Sequence, residues 1–171
     1  MKKIKSFLSN WVSIIVFAIV IALVINKFIL FVISVPSGSM YPTIKPKDRI
    51  ITTRIYNFNN IKRGDILVFY SEELQETMVK RVIAFPNDLV EIKEDGSIFI
   101  NGNRIDESYV MYPDNRNGKF KVPDDEYLFL GDNRLHSFDS RSWKNPFIKA
   151  ENIKGKAVFI LFPFDRVSKL E

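Results

Sequence analysis

Two kinds of catalytic side chain are almost missing from this sequence, which has no cysteine and a single histidine, His136. The first absence excludes disulfides and a thiol nucleophile, and it fits oxidising and reducing compartments equally well. The second matters because a serine hydroxyl needs a base before it can attack. Ser39 stands in Pro36-Ser37-Gly38-Ser39-Met40-Tyr41-Pro42-Thr43, with no histidine near it along the chain. Lysine becomes the leading candidate base.

Also lacking is a basic face. The formal net charge of +5 would by itself suggest a nucleic-acid partner. Four of the 25 basic residues, Lys2, Lys3, Lys5 and Lys27, fall within residues 1–33, where there is no acid. The remaining 21 face all 20 acids, so no nucleic acid is expected among the partners.

What the chain does have is a long apolar segment. Residues 6–26 carry no charge and include the unbroken apolar run from Ile14 to Ile25. A bilayer core of about 30 Å takes roughly 20 such residues in a helix. A cleaved signal peptide also opens with a basic stretch, but its apolar run is about 7 to 15 residues long and ends in a small-x-small site. Here the run passes Lys27 directly into Phe28-Ile29-Leu30-Phe31-Val32-Ile33, with no Ala-x-Ala behind it. A retained anchor is the better reading. Lysines precede the span, and beyond Lys27 the next bases are Lys45 and Lys47. The positive-inside rule then gives a single-pass protein of the cell membrane. Its expected parts are a cytoplasmic N-terminus (1–5), a transmembrane helix (6–27) and an extracytoplasmic β-rich domain (28–171).

After Val35 the sequence reads as short strands separated by turn residues. Apolar runs cover 49–55, 65–70, 78–85, 89–93, 97–100, 127–130 and 157–162. Asp95-Gly96 and Asn101-Gly102 mark tight turns. No sustained helical period follows residue 36, so the expected fold is mostly β, an antiparallel sheet domain behind one helix. Two Asn-rich stretches, 56–62 and 112–118, are expected to be mobile polar loops.

Three islands could carry chemistry. In Met78-Val79-Lys80-Arg81-Val82-Ile83-Ala84-Phe85, strand alternation puts Lys80 on one side with Met78, Val82 and Ala84. Lowering its pKa to between 7 and 8 takes roughly 4 kcal/mol of bias against the charged form, which burial can supply. The plain alternative is a strand lysine whose ammonium reaches water. Ser37-Gly38-Ser39 could let one serine attack while the other stabilises an oxyanion, with Gly38 easing the backbone; as a bare pattern it is also a common flexible loop. Ser39 lies six residues past Ile33, at most about 20 Å of chain, so its hydroxyl is expected near the bilayer surface. The third island is Gly131-Asp132-Asn133-Arg134-Leu135-His136-Ser137-Phe138-Asp139-Ser140-Arg141. It reads either as a polar turn with internal ion pairs or as a loop in which Ser137 orients the base while Asp139 and Arg141 hold the frame.

Taken in order with Gly64-Asp65-Ile66-Leu67-Val68-Phe69, these islands closely resemble the bacterial type I signal peptidases, from the N-terminus to near Pro163. The resemblance implies a Ser-Lys endopeptidase of the signal-peptidase fold that cleaves signal peptides from exported preproteins after small residues, at Ala-x-Ala-like sites. It makes Ser39 the nucleophile and Lys80 the general base, with the Ser39 N–H and the Ser37 hydroxyl as oxyanion hole. It makes Ser137 the group that holds the Lys80 ammonium, with Asp139 and Arg141 as support. Ile33, Val35, Pro36, Val68 and Val79 are implied around shallow pockets for substrate side chains, in a strand-addition mode of binding. Exported preproteins, the lipid bilayer and the secretion translocon are the implied partners, with no metal and no cofactor.

Three positions depart from the family pattern. Ala84 and Asn87 replace glycines, and His136 replaces an asparagine. Asparagine tolerates positive φ better than most residues, so Asn87 is expected to keep its turn. His136 at an asparagine position argues against a Ser-His-Asp arrangement. Two other readings are a non-catalytic relative that binds precursors and a self-cleaving repressor-type protease. The first is opposed by the presence of both Ser39 and Lys80. The second is opposed by an anchor where such proteins carry a DNA-binding domain.

Overall fold

The computed structural model describes residues 2–170. Its chain divides into two units, residues 1–31 and 32–171. The first contains α1 (Lys2–Phe28), with Lys27 in its last turn. Within it, Trp11–Phe28 is 18 residues of apolar helix with none of it buried, about 27 Å at 1.5 Å per residue. Side chains all round that stretch are open, Phe17 at 67% and Leu23 at 64% exposure. A helix apolar on every face suits a lipid environment.

Strand β1 (Leu30–Ser34) follows, then β2 (Arg49–Arg54), β3 (Ile66–Ser71) and β4 (Glu76–Ala84). Next come β5 (Leu89–Ile92), β6 (Ile98–Ile100), β7 (Asn103–Arg104) and β8 (Gly118–Lys121). The last four are β9 (Glu126–Leu130), β10 (Phe147–Lys149), β11 (Ile153–Phe162) and β12 (Ser168–Lys169). The large sheet runs β1-β2-β11-β3-β4-β9-β10, with β12 on β11, and the small one runs β7-β6-β5-β8. Every pairing given by register is antiparallel, as the alternating sequence pattern leads one to expect. The β6–β7 turn is Asn101-Gly102, with φ of 51° and 84°, the conformation that favours this dipeptide in two-residue hairpins.

Three apolar clusters fix the strands. Phe69 and Phe129, both fully buried, stack with ring centroids 4.3 Å apart beside Leu67, Val82 and Trp143. Burying a phenylalanine contributes up to about 3 kcal/mol. Ile83, Ala84, Val90, Ile92, Ile98, Leu128 and Leu130 join the small sheet to the large one. Val35, Met40, Ile44, Ile50, Ile66, Ala157 and Ile160 form the third cluster. That cluster holds the turn carrying Ser39, because Met40 and Ile44 are buried at 1% and 0% exposure.

The 112–118 stretch is not a loose loop. Its Arg116 donates to the Ser137 carbonyl at 3.0 Å and to Ser142 Oγ at 2.7 Å, and it also pairs with Asp114. The 56–62 stretch contains a short 3-10 turn, Phe58–Asn60, capped by the Asn57 side chain. Asn87 has φ of 68°, so it keeps the turn expected of it. Ala84 is fully buried in the second cluster.

Candidate active site

Lys80 owes its position to two registers. In β3–β4 it stands opposite Leu67, and in β4–β9 its neighbour Arg81 stands opposite Leu130. Leu130 is the last residue of β9, so the chain leaves the sheet there and the 131–141 loop begins beside the base. From Glu76 to Lys80, β4 pairs only with β3, and among the described residues no strand covers its other edge.

The Lys80 residue is 2% exposed. Burial pulls its pKa down to about 8, although the carboxylates of Asp139, Glu76 and Asp132 act in the opposite direction. An ordinary strand lysine with its ammonium in water is therefore not what stands here. Asp139 is itself buried, which opposes its charge, yet its pKa is lowered because Arg141 donates to it at 2.9 Å and 2.8 Å. The Gly131 N–H adds a third hydrogen bond to that carboxylate, at 3.0 Å.

Ser39 reaches the same place from the turn after β1. Ser37, Gly38, Ser39 and Lys80 line one cleft of about 300 Å³, together with Glu76, Met78, Asn133, His136 and Phe138. The Ser37 and Ser39 hydroxyls are 3.3 Å apart. Among the described residues no hydrogen bond joins Ser39 to Lys80. The loop after β9 clamps the serine segment, with the Asn133 N–H donating to the Ser39 carbonyl at 3.0 Å and Asn133 Nδ2 to the Gly38 carbonyl at 3.1 Å. A second tie runs through Asp132, which takes two hydrogen bonds from Arg81 at 2.8 Å and 2.7 Å and one from Thr43 Oγ1 at 2.6 Å. That carboxylate couples the strand bearing Lys80 to the turn bearing Ser39.

The glycine that matters is not the one the sequence suggested. Gly38 has no positive φ, and a Cβ there would meet only Pro46 Cγ at 3.8 Å. Gly131 is different, since a Cβ on it would lie 2.2 Å from Ser137 Oγ and 2.4 Å from the Ser39 carbonyl oxygen. The chain approaches itself too closely there for any side chain.

Other expected residues fall in different places. Asp139 and Arg141 are paired with each other at 2.8 Å, and both charges act on Lys80. Ser137 Oγ is buried near Asp139 and contributes to holding that carboxyl ionised, but it makes no well-aligned hydrogen bond and none to Lys80. Ile33, Val35, Pro36, Val68 and Val79 do not line the cleft. Val68 and Val35 are core, at 0% and 4% exposure, Ile33 and Val79 pack on the third cluster, and Pro36 is exposed. Strand alternation explains the difference, because Val79 points away from the face shared by Lys80, Met78 and Glu76. That same two-residue period could have pointed to Glu76. What Asn133 and Gly131 do could not be read locally, because it depends on contact with a segment about ninety residues away.

Comparison with known proteins shows what the chain is similar to. The family model described as "Signal peptidase, peptidase S26" matches residues 8–162. Signal peptidase I of Leptolyngbya laminosa is 38% identical over 98% of this chain and 86% of its own. Signal peptidase I P of Bacillus subtilis subsp. natto is 37% identical over 98% of this chain and 95% of its own. The crystal structure of a signal peptidase I from Enterococcus faecalis V583 superposes with a TM-score of 0.49 at 30% identity, over 57% of this chain and 96% of that one. The chain belongs to the signal peptidase family, peptidase S26, and with it to the serine endopeptidases.

Proposed function

We propose that the protein is a membrane-anchored endopeptidase that removes signal peptides from exported preproteins, with Ser39 as nucleophile and Lys80 as general base. The observation that carries this reading is the burial of Lys80 in the cleft that also holds Ser39, with a pKa near 8. An amine of that pKa is still mostly protonated at pH 7, but about a tenth of it is neutral, against less than a thousandth for an ordinary lysine, and that fraction is able to accept a proton. Lys80 takes the Ser39 proton as the hydroxyl attacks the scissile carbonyl, then delivers it to the departing amine. The acyl-enzyme left on Ser39 is hydrolysed by water activated by the same amine. The Ser39 N–H and the Ser37 hydroxyl stabilise the oxyanion, and the pairing of the two hydroxyls at 3.3 Å supports that role.

The uncovered edge of β4 supports binding of the substrate as an extended strand, with backbone hydrogen bonds giving affinity and pockets selecting small side chains before the cut. The exposed apolar helix supports a single transmembrane anchor, and the lysines before it support an N-terminus in the cytoplasm with the domain outside. Lipid and the secretion translocon are then its surroundings. The test is cleavage of a purified preprotein with sequencing of the new N-terminus. Wild type is expected to cut after a small residue, Ser39→Ala to cut nothing, and His136→Ala to stay within about tenfold of wild type. Cleavage by Ser39→Ala at a near wild-type rate would overturn the proposal.

A further inference from the structure

The cleft does not end at the two residues assigned to the chemistry. Glu76 and Met78 line it from β4, on the face that carries Lys80, and Asn133, His136 and Phe138 line it from the loop after β9. Glu76 opens β4 and is solvent-exposed. Its carboxylate has no hydrogen bond and no ion pair among the described residues. It is the one acid lining this cleft. The other acids nearby, Asp132 and Asp139, are fully buried and already bound to Arg81 and Arg141. The Glu76 carboxylate acts on Lys80 only through its charge, so it keeps its hydrogen-bonding capacity for whatever lies in the cleft.

Glu76 and Lys80 are also the two ends of the stretch of β4 left unpaired on one edge. A peptide added to that edge pairs residue by residue with β4, and cross-strand partners are close enough to interact directly. The peptide residue beside Lys80 lies near the bond being cut. The peptide residue beside Glu76 lies about four positions further along, roughly 13 Å at strand spacing.

We infer that Glu76 is a specificity-determining residue, selecting for a basic side chain and against an acidic one about four positions from the scissile bond. The inference rests on the proposed peptidase reading, because it needs a polypeptide in the cleft. The pair is solvent-exposed, so its effect is modest and sensitive to salt.

The test uses the full-length protein in detergent and a set of preproteins differing at one residue. Lys, Ala or Glu is placed in turn at each of the third, fourth and fifth positions on either side of the cut. For wild type, one of these positions is expected to show a kcat/KM ratio of Lys to Glu substrate of about five- to twentyfold, falling as salt is raised. Glu76→Gln is expected to bring that ratio to about one, and Glu76→Lys to invert it. A ratio within one enzyme cancels any general loss of activity, and the Gln variant covers a misfolded Lys variant. Unchanged ratios in Glu76→Gln, or no charge preference at any position in wild type, overturn the inference while leaving the peptidase reading intact. Failure of wild type to cleave any substrate in the set would instead count against the peptidase reading.

Discussion

Lys80→Met is expected to cleave no preprotein and, at pH 7, to be more stable than wild type by ~3 kcal/mol. Loss of cleavage follows from loss of the base. The gain in stability follows from burial, because Lys80 is 2% exposed and its pKa in the fold is about 8, against 10.5 for an unburied lysine. Below pH 8 both folded and unfolded chains carry the proton, so the fold bears the full cost of a buried ammonium. Between about pH 8 and 10.5 the folded protein releases its proton first while the unfolded chain still holds one. Wild-type stability from this group therefore rises with pH across that window. The advantage of Lys80→Met should shrink accordingly, from about 6 to 12 °C in Tm at pH 7 to near zero by pH 10.5. Thermal unfolding of both proteins at a series of pH values checks this. A methionine variant no more stable than wild type at pH 7, or an advantage that does not change with pH, would mean that the ammonium is solvated.

The second large effect is expected at a residue with no functional group. Gly131→Ala puts a methyl 2.2 Å from Ser137 Oγ and 2.4 Å from the Ser39 carbonyl oxygen. The Ser137 side chain can rotate, but the carbonyl is backbone and is also held by the Asn133 N–H at 3.0 Å. Relief must come from moving the Ser39 segment or the 131–133 loop. Overpacking of this kind costs about 1–3 kcal/mol, and a displacement of about 1 Å at a reacting group costs on the order of a hundredfold in rate. Gly131→Ala should therefore lose a hundredfold or more in kcat/KM while remaining folded at 25 °C. Gly155→Ala provides the comparison, since its Cβ would lie 2.3 Å from the Thr53 carbonyl oxygen, on β11. That variant should lose stability but keep its activity per folded molecule. Equal losses of activity in the two variants would reduce the Gly131 effect to general destabilisation.

The contrast between Gly38 and Gly131 shows what the sequence could and could not convey. Local pattern was enough for the apolar helix, whose uncharged run over residues 6–26 is legible on its own, and for strands such as β3, β4 and β9. It was enough for the Asn101-Gly102 turn and for the face that Lys80 shares with Met78. Strand β1 was hidden because Leu30–Ser34 continues the apolar run of α1 with only Ile29 between them. Hydrophobicity alone does not tell a helix end from a strand start. Strands β8 and β10 are short, with half or more of their residues incompletely buried, so their pattern is weak. The insertion of β11 between β2 and β3 is set by pairings about a hundred residues apart in the chain. The 131–141 loop was readable as chemistry but not as geometry. Its Asp132, Asn133 and Gly131 act by touching the 38–43 segment, and no local propensity encodes that contact.

The central claim is that a neutral, buried lysine is the base for Ser39. Its most direct test is kcat/KM against pH, between 6 and 10, for a preprotein with no titratable residue near its cleavage site. The account predicts a rise through one apparent pKa near 8, because kcat/KM reports the essential base of the free enzyme. The same rise is predicted in His136→Ala. A profile flat across that range, or an inflection that disappears in His136→Ala, would contradict it.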